Sequence, residues 1–78
     1  MVRLLYFSYL KERLKKAEEE LPFTGTVGEL RKLLKEKYPQ LADELERVRF
    51  AVNDEYAKDD EPIKDGDKIA LIPPVSGG

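Results

Sequence analysis

Lys68-Ile69-Ala70-Leu71-Ile72-Pro73-Pro74-Val75-Ser76-Gly77-Gly78 closes the chain, and the reading of this stretch decides the fold. Lys68 to Ile72 reads as an apolar strand. Two prolines stop it, because proline cannot donate to a sheet ladder and stiffens the chain into an extended exit. The four residues that follow have no capacity to build a core, and they end on Gly-Gly. Without a Cβ, a glycine carboxylate can enter a channel too narrow for any other residue. At about 7% usage per position, two terminal glycines arise by chance in roughly one chain in 200. Gly-Gly alone is therefore only moderately specific. Directly after Pro-Pro-Val-Ser and an apolar strand, it reads as a presented tail.

Working outward, 78 residues make one domain with a small core and no room for a large enclosed active site. The net charge of −2, with 38% charged residues, gives no electrostatic case for nucleic acid. No cysteine means no disulfide, thiolate nucleophile or thiolate metal site, and no histidine removes the commonest general base. Independent catalysis is disfavoured, and no metal or cofactor is expected on this chain. The apolar start at Met1 to Leu10 is broken by Lys11-Glu12-Arg13 with no cleavage site after it, and no run approaches the ~18 apolar residues of a membrane span. The expectation is a soluble cytoplasmic protein without membrane contact.

Val2 to Phe7 reads as a central strand, with Val2, Leu4 and Tyr6 on one face and Arg3, Leu5 and Phe7 on the other. Ser8 is placed to cap a short helix to Lys16, with Leu10 and Leu14 at i, i+4. Ala17 to Leu21 reads as a short edge strand, against the helical propensity of Glu18-Glu19-Glu20. Thr26-Val27-Gly28-Glu29 has the form of a capping box opening the main helix. Val27, Leu30, Leu33, Leu34 and Tyr38 line its inner face, Arg31, Lys32, Lys35 and Glu36 face water, and Pro39 ends it. Another helical turn at 41–45, strands at 47–52 and near Tyr56-Ala57, and an inward Ile63 complete the body. Lys58-Asp59-Asp60-Glu61 is a solvated loop rather than a metal site, and Asp65-Gly66-Asp67 launches the last strand.

Two early strands, a dominant helix and later strands imply an α+β fold, a ubiquitin-like β-grasp: a mixed sheet of about five strands with one main helix on one face. First and last strands pair in parallel. The domain spans 1–72, and 73–78 form a flexible tail. Alternation then turns Leu5, Phe7, Ala70 and Ile72 onto an uncovered sheet face beside the tail. The plain alternative is a second small core beneath a loop. The functional reading is a docking surface that aims the terminus into a partner.

Val2-Arg3-Leu4-Leu5-Tyr6-Phe7, Ala51-Val52-Asn53 and the block from Asp65 to Gly78 together resemble the small-subunit family of molybdopterin synthase, sulfur carriers of β-grasp fold. The resemblance implies that an ATP-dependent, E1-like enzyme adenylates Gly78 and that sulfur transfer makes a thiocarboxylate there. It implies that Pro73, Pro74, Val75, Ser76 and Gly77 thread the tail into the large synthase subunit, in a heterotetramer. Sulfur then passes to cyclic pyranopterin monophosphate in molybdenum cofactor biosynthesis. By position, the family places Phe7, Lys11, Tyr56 and Ile72 at or near the partner-contacting surface. A sulfur carrier for thiamine or tRNA thiolation, and a ubiquitin-like modifier joined to lysines of other proteins, share the tail chemistry and stand as alternatives.

Overall fold

The computed structural model describes residues 1–74; Val75, Ser76, Gly77 and Gly78 lie outside the described residues. A five-stranded mixed sheet is built from β1 (Val2–Tyr6), β2 (Glu18–Leu21), β4 (Arg49–Val52), β5 (Glu55–Ala57) and β7 (Lys68–Ile72). Its order is β2-β1-β7-β4-β5. The central pair, β1 and β7, is parallel, with Leu5 beside Ala70 and Tyr6 beside Leu71. Apolar residues buried on the inner face explain why these two strands sit in the middle. Val2, Leu4, Tyr6, Ile69 and Leu71 alternate inward, as the pleat requires. β2 lies at one edge, antiparallel to β1. There strand pairing and the burial of Leu21 override the helical propensity of three successive glutamates.

One layer of helices covers the inner face: α1 (Ser8–Leu14), α2 (Val27–Lys37), a 3-10 turn (Pro39–Leu41) and α3 (Ala42–Arg47). The capping box at Thr26 forms as its residues predict. The Glu29 amide donates to Thr26 Oγ1 at 3.2 Å, and the Thr26 amide donates to Glu29 Oε1 at 2.9 Å. The next two amides find partners as well, Val27 to Glu61 O at 2.9 Å and Gly28 to Asp59 O at 2.8 Å. The charged loop at 58–61 thus closes the N-terminus of α2. Val27, Leu30 and Leu34 are fully buried, whereas Leu33 is exposed, contrary to its expected place on the inner face.

Three other expectations change. The helix α1 is preceded by Phe7 in extended conformation, and Ser8, at φ 54, makes no capping bond. It ends at Leu14 because Lys15 takes the left-handed conformation that closes a helix. Arg47 ends α3 instead of starting a strand. A second, two-stranded sheet, β3 (Gly25–Thr26) with β6 (Pro62–Ile63), was not anticipated; it secures the buried Ile63.

The largest departure is Arg31. Helical periodicity points it to water, yet its side chain is only 15% exposed. Its Nη1 donates to the carbonyls of Leu45, Glu46 and Val48 at 2.8, 2.9 and 3.0 Å, closing the C-terminus of α3. Its Nη2 meets Asp59 at 3.0 Å, and the guanidinium lies 4.8 Å from the centre of the Phe50 ring. Arg31→Ala orphans three carbonyls and removes that stack, so we expect a loss of about 2–3 kcal/mol in urea unfolding. Arg31→Lys should recover little of it, since an ammonium cannot reproduce the fork.

Candidate functional site: the outward sheet face and the root of the tail

The helices' buried residues pack on the inner face, and the other side of the sheet is left partly exposed, although Ala51 there is buried. Register builds its central row: Glu18, Leu5, Ala70, Ala51 and Tyr56 lie side by side across the five strands. Leu5, Ala70 and Ile72 are partly exposed, and none of the three belongs to the core. Phe7 falls one residue past the end of β1, so the turn into α1 carries it instead of the strand. At 46% exposed it still presents its ring to solvent. Tyr56 is 64% exposed at the far edge.

Because β7 runs parallel to β1, its last residues arrive where Tyr6 and Phe7 lead into α1. Ile72 there pairs with Arg49 of β4. Pro73 is buried and Pro74 is exposed. The structure therefore brings Leu5, Phe7, Ala70 and Ile72 together at the root of the tail. Lys11 is exposed on α1, the helix that starts at this end, and forms no ion pair among the described residues. Tyr56 lies two strands away. The sequence reading missed Arg49, whose guanidinium stacks 4.7 Å from the centre of the Tyr56 ring. An arginine one place before a buried phenylalanine on a strand is the signal that marks it as outward-facing.

The two turn motifs join at the opposite end of the sheet. Asn53 and Asp54 both have positive φ, the geometry of a type I′ hairpin turn. The Asn53 side chain donates to Asp67 and accepts from the Lys68 amide, each at 3.0 Å. Asp67 also accepts from the Lys64 amide at 2.8 Å, which holds its carboxyl below the usual range. Ala51-Val52-Asn53 and Asp65-Gly66-Asp67 thus act as one clasp that starts β7 in register.

The titratable groups most strongly perturbed meet at Glu19. Glu19 accepts from Tyr6 at 2.6 Å, Tyr38 at 2.9 Å and Lys37 at 2.6 Å, with Lys16 at 3.3 Å. Burial works against its charge, but the bonds from Lys37, Tyr6, Tyr38 and Lys16 outweigh it and hold the carboxyl at about 2. Burial, then the bond to Glu19, pushes the Tyr6 phenol up. A carboxylate ionised this firmly has no proton to exchange near neutral pH, so the cluster fastens β1, β2 and α2 together. Among the described residues no group of His, Cys, Asp and Glu could hold a metal ion. No helix among them is long and apolar enough to cross a membrane.

The Glu19 cluster has a pH consequence. The unfolded chain takes up a proton near 4.5, whereas the folded chain resists until about 2, so stability falls as pH drops through that window. With its side chain 11% exposed, we expect an acid-dependent loss of roughly 2–3 kcal/mol. Glu19→Gln should flatten this dependence between those pH values in chemical unfolding.

Residues 4–78 match the ThiS family. The chain belongs to that family. It is 39% identical to a protein of Mycobacterium tuberculosis named molybdopterin synthase sulfur carrier subunit, over 99% of this chain and 96% of that relative. Among solved structures it resembles the complex of subunits 1 and 2 of the molybdopterin-converting factor from Helicobacter pylori. That likeness has a TM-score of 0.70 and 33% identity over 99% of this chain and 97% of that one. It also resembles SAMP1 from Haloferax volcanii, with a TM-score of 0.75 and 27% identity over 99% and 98% of the two chains. The α+β, ubiquitin-like architecture expected from the strand order is thereby shown.

Proposed function

We propose that this chain is the sulfur carrier subunit of a molybdopterin synthase. The observation that carries the reading is full-length similarity to a protein of that name, joined to an apolar face at the root of the tail. The Gly78 carboxylate attacks the α-phosphate of ATP on an E1-like enzyme, giving an acyl-adenylate and releasing pyrophosphate. A sulfur donor then displaces AMP and leaves a C-terminal thiocarboxylate. The loaded chain docks through Leu5, Phe7, Ala70 and Ile72 on the large subunit, in a heterotetramer, with Lys11 and Tyr56 at the margin. Pro73, Pro74, Val75, Ser76 and Gly77 lead Gly78 into an active site belonging to that subunit. Two deliveries to cyclic pyranopterin monophosphate build the dithiolene that later holds molybdenum, and each returns Gly78 to the carboxylate. The chain itself needs no cofactor, and the cytoplasm, which supplies ATP, is the compartment.

The likeness to SAMP1 favours one second reading, a ubiquitin-like modifier whose activated Gly78 forms an isopeptide bond with a lysine of another protein. One experiment separates the two. The chain, its E1-like enzyme, ATP and a sulfur donor are mixed with the large subunit and cyclic pyranopterin monophosphate. The carrier reading expects dithiolene product and recovered free chain. Protein adducts without sulfur product would support the modifier.

A further inference from the structure

At the tail end of the β4–β5 hairpin, a cleft opens between α2 and the sheet edge, lined by Arg31, Phe50, Arg49, Tyr56, Lys58 and Asp59. Its charge is unusual for a chain of net −2. Three cations meet one carboxylate, and that carboxylate, Asp59, is already paired with Arg31. Arg49 and Lys58 form no ion pair or side-chain hydrogen bond among the described residues. Arg31 Nε is buried without a partner. The Arg49 guanidinium stacks 4.7 Å from the centre of the Tyr56 ring, an arrangement that leaves its fork of donors open.

The cleft is continuous with the docking face. Arg49 pairs in register with Ile72, and Tyr56 ends the row that holds Leu5 and Ala70. The opposite edge of that face is acidic, with Glu18 and Glu20 exposed on β2. Arg3 and Lys68 share this face with Leu5 and Ala70 on the two central strands, but they are paired with Glu18 at 3.8 Å and Asp54 at 3.0 Å, whereas Arg49 and Lys58 at the cleft have no carboxylate partner among the described residues. We infer that the cleft receives an aspartate or glutamate side chain of the protein that docks on the sheet face, and so fixes which way round that protein sits. Charge complementarity gives such contacts orientation and association rate more than raw affinity. The inference rests on the docking reading above and adds to it the chemistry of the partner.

The test measures binding of the purified large synthase subunit to this chain at low and high salt. Arg49→Glu combined with Lys58→Glu should weaken binding at low salt by about 10- to 100-fold and flatten its salt dependence. Both residues are exposed, so the circular dichroism spectrum and melting temperature should not move. Arg49→Lys should lose less, and Lys32→Glu, on the exposed side of α2, should change neither affinity nor salt slope. If the double variant keeps wild-type affinity and slope while Phe7→Asp abolishes binding, the cleft assignment falls and the carrier reading stands. If the wild-type chain does not bind the large subunit, both fall. AMP is titrated in parallel. Binding of AMP that the double variant loses, with large-subunit affinity unchanged, would make the cleft a nucleotide-anion site and overturn the assignment.

Discussion

Removing Gly77 and Gly78 is expected to abolish sulfur transfer altogether while leaving the melting temperature where it was. Among the described residues, the strand pairings along β7 end at Ile72 with Arg49, and the buried core is made by residues of 2–71. On the proposed carrier mechanism, truncation takes away the carboxylate that reacts, and these pairings should survive it. Gly77→Val is the finer test. It adds a branched Cβ and keeps the charge and length of the chain, so any block it imposes is steric. We expect loading by the activating enzyme to fall below detection with unfolding unchanged. A truncated chain that still delivers sulfur would remove Gly78 from the mechanism.

The second large effect is expected at Phe7. Half-exposed at the turn from β1 into α1, its ring lies outside the core, so Phe7→Asp should preserve the circular dichroism spectrum. An aromatic anchor commonly contributes about 2 kcal/mol or more at an interface, so binding to the large subunit should weaken at least about 30-fold. A buried charge would deepen that loss. Unchanged fold together with unchanged assembly would show that the outward sheet face is not the docking surface.

Much of this architecture was legible because its determinants are local or periodic. Thr26 and Glu29 are three residues apart and can only close on each other. Alternation in 2–6 and 68–72 sorted buried from exposed before any pairing was known. Asp65-Gly66-Asp67 announced a turn, and Gly66 does take φ 88 there. What escaped depends on distance in the chain. Nothing near Arg31 foretells three carbonyls 14 to 17 residues away, and its helical position alone argues for solvent. Glu19 reads as one of three like charges until β2 pairs with β1 and brings two tyrosines and two lysines to it. Ser8 looked like a cap by residue type, but the chain reaches it from a strand that ends one residue earlier, which leaves Phe7 in the capping position. The docking face was half visible. Its apolar members follow from alternation, whereas Arg49 acquires its meaning only from the register that sets it beside Ile72 and Tyr56.

The central claim is that Gly78 carries sulfur, and intact mass spectrometry addresses it most directly. The purified chain is incubated with its E1-like enzyme, ATP and a sulfur donor, with one portion lacking ATP. The carrier account predicts a mass gain equal to replacing one oxygen by one sulfur, confined by fragmentation to Gly78 and absent without ATP. An unchanged mass in the presence of an enzyme shown to form the acyl-adenylate, or sulfur found on any residue other than Gly78, would contradict it.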